Sequence, residues 1–228
     1  MEKSNESTDD LVVATIVEAV REDIISGVLA PGAEINSVEL ATRSGTSRTP
    51  VREALLVLDR YGLVTLSAYK RPRVASVTVE AIEELYGLRR ALHAFISDAV
   101  VRHAPDGDLL ALKDMARDLS SNALHTPLEQ QFERIEAYLQ IEYALCGNSV
   151  VVGVLESLRW RIGWFRRLAL MTPEQMLAIS EDRLRVAKAY CERDAVLAAA
   201  LNDSMLRRGA RFSRQNFLAK WGAAPATS

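Results

Sequence analysis

From Leu11 onward, apolar residues recur at intervals of three and four. Val13, Ile16, Val17, Val20 and Ile24 fall on one face, which predicts a helix running to Gly27 and the Pro31-Gly32 turn. The residues before it, 1–9, are polar and aperiodic, as expected of a disordered tail. Ser37 is the candidate cap of a short second helix carrying Leu40 and Ala41, which Gly45 closes. The stretch SGTSRTPVREALLVLDRYGLV (44–64) holds a third. Val51, Ala54, Leu55 and Leu58 stand at i, i+3, i+4 and i+7, Pro50 falls in the first turn, and Ser47 or Thr49 can cap the start. Arg48 and Arg52 lie one turn apart at the N-terminal end, off the apolar stripe.

After Gly62 the period changes. LVTLSAYKRPRVASV begins and ends with β-type apolar residues and carries Lys70, Arg71 and Arg73 near its middle, which predicts a hairpin with a basic tip. Three helices and a basic hairpin make a winged helix-turn-helix. Beyond Thr78 the pattern is helical throughout, over about 79–103, 106–122, 127–146, 149–170, 173–192 and 195–219. Thr126-Pro-Leu-Glu129 and Thr172-Pro-Glu-Gln175 are candidate capping boxes with Pro at the first helical position. The expected fold is mainly α: a tail over 1–9, a winged helix-turn-helix over 10–77, an all-α antiparallel bundle of about six helices over 78–220, and a flexible C-terminus over 221–228.

Composition narrows this little. The chain has 228 residues, 49% hydrophobic and 25% charged, which suits a globular protein. A net charge of −2 confines any contact with nucleic acid to a local basic surface. No apolar run has the length of a membrane span and the first residues do not resemble a signal peptide, so the expected location is cytoplasmic. Cys146 and Cys191 are far apart and sit in apolar helical patterns, as expected of free core thiols.

GVLAPGAEI, the 44–64 stretch and the basic hairpin together resemble the DNA-binding domain of the GntR family of bacterial transcription regulators. CGNSVVVGVL and EDRLRVAKAYCERDAVLAAA are similar to motifs of the helical FCD domain found in the FadR branch of that family. The resemblance implies DNA contacts at Ser47, Arg48, Thr49 and Arg52 and, on the wing, at Lys70 and Arg71. These residue types suit DNA binding, because a helix N-terminus favours phosphate and an arginine there reads guanine in the major groove. Two positions depart from the family. Arg71 stands where a wing-tip glycine is usual, and Val38 where an arginine often contacts phosphate.

Many FCD domains hold a metal through one aspartate and three histidines. Alignment on Gly147-Asn148 and on Asp194 puts Ile135, Leu139, Arg183 and Met205 at those four positions, so no metal and no cofactor is expected. His93, His103 and His125 do not rebuild the set and are expected at or near the surface. The implied effector pocket is apolar with one fixed charge, Arg183, whose partner is either an effector carboxylate or an internal glutamate. Arg89 and Arg90 are further candidates to face it, and Trp160 with Trp164 is expected in a core or a dimer interface.

The expected function is a homodimeric, ligand-responsive regulator of transcription, a repressor on a palindromic double-stranded DNA operator. Its expected effector is an apolar or aromatic molecule with one acidic group. The alternative is a constitutive regulator whose helical domain only dimerises. No nucleophile elbow, phosphate loop or metal set suggests an enzyme.

Overall fold

The computed structural model describes residues 3–168 and 171–221, which divide into two compact units. The predicted C-terminal flexible segment lies, from residue 222, outside the described residues, as do the last two residues predicted for the 149–170 helix.

The first unit holds residues up to Val77 together with Leu155–Phe165. Its elements are α1 (Lys3–Ile25), α2 (Ser37–Arg43), α3 (Arg48–Arg60), β1 (Val64–Thr65) and β2 (Arg73–Val74). The first helix thus starts at Lys3, well before the periodic pattern at Leu11. The polar residues ahead of Leu11 carry no stripe that could have announced this. α1 packs on α3, with Ile16, Val20, Ile24, Val51, Ala54 and Leu58 buried between the helices of the unit. Emptying such a position, as in Leu58→Ala, costs about 2–5 kcal/mol. Asn36, not Ser37, caps α2: its Oδ1 accepts from the N–H groups of Val38 and Glu39 at 3.1 and 3.3 Å. Ser37 becomes the first helical residue, because an asparagine one position earlier reaches both free donors. Gly45, at φ 62°, lets Gly45 N–H and Thr46 N–H bond Thr42 O and Ala41 O, a Schellman closure that turns the chain into α3.

β1 and β2 pair antiparallel, Val64 opposite Val74 and Thr65 opposite Arg73. The turn after α1 braces the far side of β2: Gly32 N–H donates to Val74 O, Val74 N–H to Ala33 O and Ile35 N–H to Pro72 O. The wing is therefore anchored on both sides at its base.

The second unit contains α4 (Val79–His103), α5 (Asp106–Ser121), α6 (Leu128–Leu145), α8 (Pro173–Cys191) and α9 (Ala195–Trp221), with the two ends of α7 (Ser149–Leu168). α4 lies along α9, α5 along α8, and α8 along α9, while α6 rests on α4 and α5. Among the described residues of this unit and α7, the helices agree with the periodic pattern to within two residues. One expected capping box forms: Thr172 Oγ1 accepts from Gln175 N–H and Gln175 Oε1 accepts from Thr172 N–H. The other does not. Pro127 holds the cap position of α6, Glu129 is drawn to Arg167, and Thr126 Oγ1 accepts from Arg134 at 3.2 Å.

The periodic pattern puts the whole of α7 in the bundle, whereas its middle belongs to the first unit. There the Trp160 ring lies on Tyr61, centroids 4.1 Å apart, with the Arg21 guanidinium 6.0 Å from the same ring. A Cβ at Gly62, which sits at φ 70°, would meet Arg161 at 3.3 Å.

Candidate nucleic-acid interface and effector cavity

In the first unit, α3 and the wing enclose an open groove of about 780 Å3. Ser37, Arg48, Thr49, Arg52 and Leu56 line one side, and Leu66, Ser67, Tyr69 and Pro72 the other. The apolar stripe of α3 faces inward, which forces the residues between its members outward. Hence Arg48, Thr49 and Arg52 are exposed together with Ser47. Ser47 is the N-cap by backbone conformation, yet its side chain makes no capping bond. Its hydroxyl and the first-turn N–H groups of α3 are left to an external acceptor.

The basic wing residues differ in their engagement. Arg71 lies 3.4 Å from Glu34, which also pairs with Arg73. Lys70 makes no ion pair among the described residues. The left-handed position of the wing turn is held by Tyr69, at φ 62° and fully exposed, two residues ahead of Arg71. Such a backbone disfavours a side chain, so the turn carries some strain. Val38 is exposed on α2 and offers no charge to a phosphate.

The second unit holds a cavity of about 30 Å3 lined by Tyr86, Arg89, Phe132, Ile135, Arg166, Met171, Met176, Ile179, Arg183, Met205, Leu206 and Gly209. Of the residues expected there from the sequence, Ile135, Arg183, Met205 and Arg89 are present. Leu139 is buried but does not reach the lining. Arg90 turns elsewhere and pairs with Asp203 at 2.5 Å. Arg166 is the charged lining residue that sequence reasoning missed, along with the apolar and aromatic remainder of the lining. It adjoins Arg167 in sequence, and only the fold separates a buried arginine from one paired with Glu129. No group of three or more candidate metal ligands occurs among the described residues.

Beside the cavity runs a buried polar chain. Tyr190 donates to Glu142 Oε1 at 2.8 Å, and Asn202 Nδ2 donates to both Tyr190 Oη and Ser97 Oγ at 2.9 Å. His93, expected near the surface, is buried here. Its Nδ1 lies 2.9 Å from Arg89 O, an acceptor only, so Nδ1 carries the proton and donates. Its Nε2 stands 4.0 Å from Glu142 Oε2. Burial, reinforced by Arg89, lowers the His93 pKa to about 3, while burial raises that of Glu142 against the pull of Arg183. His103 and His125 are exposed, and both cysteines are free, Cys146 buried and Cys191 half-buried.

Two family profiles match the chain: "Bacterial regulatory proteins, gntR family" over residues 13–71 and "FCD domain" over 84–208. The second covers more than half of the molecule. The protein is a GntR-family transcriptional regulator with an FCD domain. Its relatives include the HTH-type transcriptional repressor GlaR of Escherichia coli, 27% identical over 80% of this chain and 86% of that one. An uncharacterized HTH-type regulator from Streptomyces ambofaciens is 27% identical over 82% and 79% of the two chains. A further match, to the uncharacterized regulator YdhC of Bacillus subtilis, is 28% identical and covers 48% of this chain and 49% of YdhC. The fold is shared with E. coli McbR/YncC, at a TM-score of 0.73 and 19% identity over 90% of this chain and 98% of that one. This regulator therefore belongs among DNA-binding regulators, not enzymes. Among its described residues no helix is long and apolar enough to cross a membrane.

Proposed function

We propose that the protein is a cytoplasmic repressor that binds a palindromic operator as a homodimer and is released by a small organic acid taken up by the FCD domain. The groove between α3 and the wing carries this reading, since Arg48 and Arg52 line it beside a cap serine that caps nothing. The arginines read base edges in the major groove, Ser47 and Thr49 hold phosphates, and Lys70 and Arg71 extend the contact along the backbone. One such unit covers too few base pairs for selectivity, and two-fold symmetry doubles the site. The repressor role is supported by the designation of GlaR as a repressor.

Genomic fragments retained by the purified protein supply the operator for a gel-shift test. Arg48→Ala or Arg52→Ala is expected to weaken binding by about 1–3 kcal/mol and to relax preference at one position per half-site. Lys70→Ala should weaken all sequences alike and reduce the salt slope by about one unit. Wild-type affinity in the double arginine variant would sink the reading. A constitutive regulator is the second reading, favoured by the small size of the cavity. It predicts operator affinity that no small acid changes.

A further inference from the structure

The cavity of the FCD domain is lined by three guanidiniums rather than one. Arg89 comes from α4, Arg166 from the end of α7 and Arg183 from α8, and they are 3%, 8% and 3% exposed. Their compensation is poor. Arg166 has only Glu136, at 3.7 Å, while Arg89 and Arg183 make no ion pair among the described residues. The Nε atoms of both are buried without a hydrogen-bond partner. What supports them is aromatic: Arg89 lies over Tyr86 at 4.9 Å and Arg183 over Tyr138 at 4.8 Å. A ring face lowers the energy of a cation but does not neutralise it. Two of the charges also act on each other, since burial and then Arg89 bring the Arg166 pKa down to about 10. His93 is held neutral, so the interior keeps a positive surplus.

We infer that the effector of this regulator is a compact dianion, held directly by Arg89, Arg166 and Arg183 without a metal. The inference rests on the reading of the FCD domain as a ligand-responsive unit. A buried charge without a partner is costly, and removing one is neutral or favourable when an apolar group of similar volume replaces it. Two such groups, Arg89 and Arg183, beside an Arg166 held only by Glu136 point to a ligand that supplies the missing charge. Since Glu136 already faces Arg166, an acid with a single charge, the expectation from Arg183 alone, leaves one of Arg89 and Arg183 uncompensated. Both a phosphate monoester and a dicarboxylate meet the requirement, because guanidiniums take either group through paired hydrogen bonds. The rest of the lining is adaptable: Met171, Met176 and Met205 border the space of about 30 Å3, and unbranched side chains of this kind can enlarge it by changing rotamer. Gly209 also lines it, and a Cβ there would press on Tyr86 at 3.1 Å.

The test is thermal shift and calorimetry on the full chain at constant ionic strength. The probes are glycerol 3-phosphate and succinate as dianions, with succinamate and benzoate as single-charge controls. The expected result is that one dianion class raises the melting temperature and binds at least tenfold more tightly than the controls. Whichever class does so names the anion. Arg89→Met and Arg183→Met should each reduce that binding at least tenfold while leaving the melting temperature of the unliganded protein unchanged or higher, because neither has an ion-pair partner among the described residues. Loss of a merely structural arginine would lower that temperature. Arg166→Leu should reduce binding as much. Equal binding of dianions and single-charge acids, with dependence on Arg183 only, overturns the dianion and leaves the ligand-responsive reading standing. No binding in any arm, together with arginine variants of lower melting temperature, removes both.

Discussion

At the scale of single residues, His93 has the most measurable consequence. Burial holds it neutral, reinforced by Arg89, Arg183 and Arg166, with Glu142 and the edge of the Tyr143 ring also against it. Its pKa falls from an ordinary 6.5 to about 3, so the unfolded chain takes the proton first as pH drops. The stability it contributes is complete above about pH 6.5 and is lost as pH falls toward 3, with a slope approaching 1.4 kcal/mol per unit, an order-of-magnitude figure. Glu142 acts in the opposite sense: its raised pKa adds stability at low pH that fades as pH rises through its folded value. Comparing wild type with His93→Gln isolates the histidine. The stability difference between them, from urea unfolding, should shift in favour of the variant by roughly 1 kcal/mol per unit between pH 6 and pH 4.5. A difference independent of pH would mean that His93 is protonated in the folded protein.

At the scale of elements, two nearly identical cap sequences behave differently. Thr172→Ala removes a working capping box and should cost about 1 kcal/mol in thermal or urea unfolding. Thr126→Ala should cost well under half of that, because Thr126 serves Arg134 and caps nothing. Equal losses would show that the local motif acts regardless of its neighbours. The pair also marks how far the sequence can be read. Helix positions were legible because a 3.6-residue apolar period survives any tertiary arrangement, and α3 with its outward Arg48 and Arg52 follows from that period alone. The fate of Thr126 was not, since it depends on Arg134 and Arg167 arriving from elsewhere. Arg166 is the clearest case: in RWRIGWFRRL nothing local tells which arginine is enclosed. The cavity positions Ile135, Arg183 and Met205 were reachable only through register with a known domain, while Arg89 could be named only together with Arg90, and that register missed that Leu139 lies outside the lining.

At the scale of the molecule, the four positions of the FCD unit aligned with metal ligands carry Ile135, Leu139, Arg183 and Met205, none of them a metal-ligand type. Protein purified without chelator is expected to hold far less than one transition metal per chain by elemental analysis, and EDTA should leave its melting temperature unchanged. The other feature at this scale is that the winged unit is assembled from two separate stretches of chain. A double-mutant cycle on Tyr61→Ala and Trp160→Ala should return a coupling of about 0.5–1.5 kcal/mol, the range for stacked aromatic rings. Additive losses would show that the ring contact contributes nothing of its own. Winged domains of this kind look like cassettes that recombination could exchange by a cut after Val77. Here such a cut would carry Tyr61 and Gly62 into the hybrid and leave Trp160 and Arg161 behind. A new helical domain would have to offer matching residues on its own α7, so lineages of this protein are expected to inherit the wing and that helix together, and a working chimera should need a graft of residues 155–165 as well.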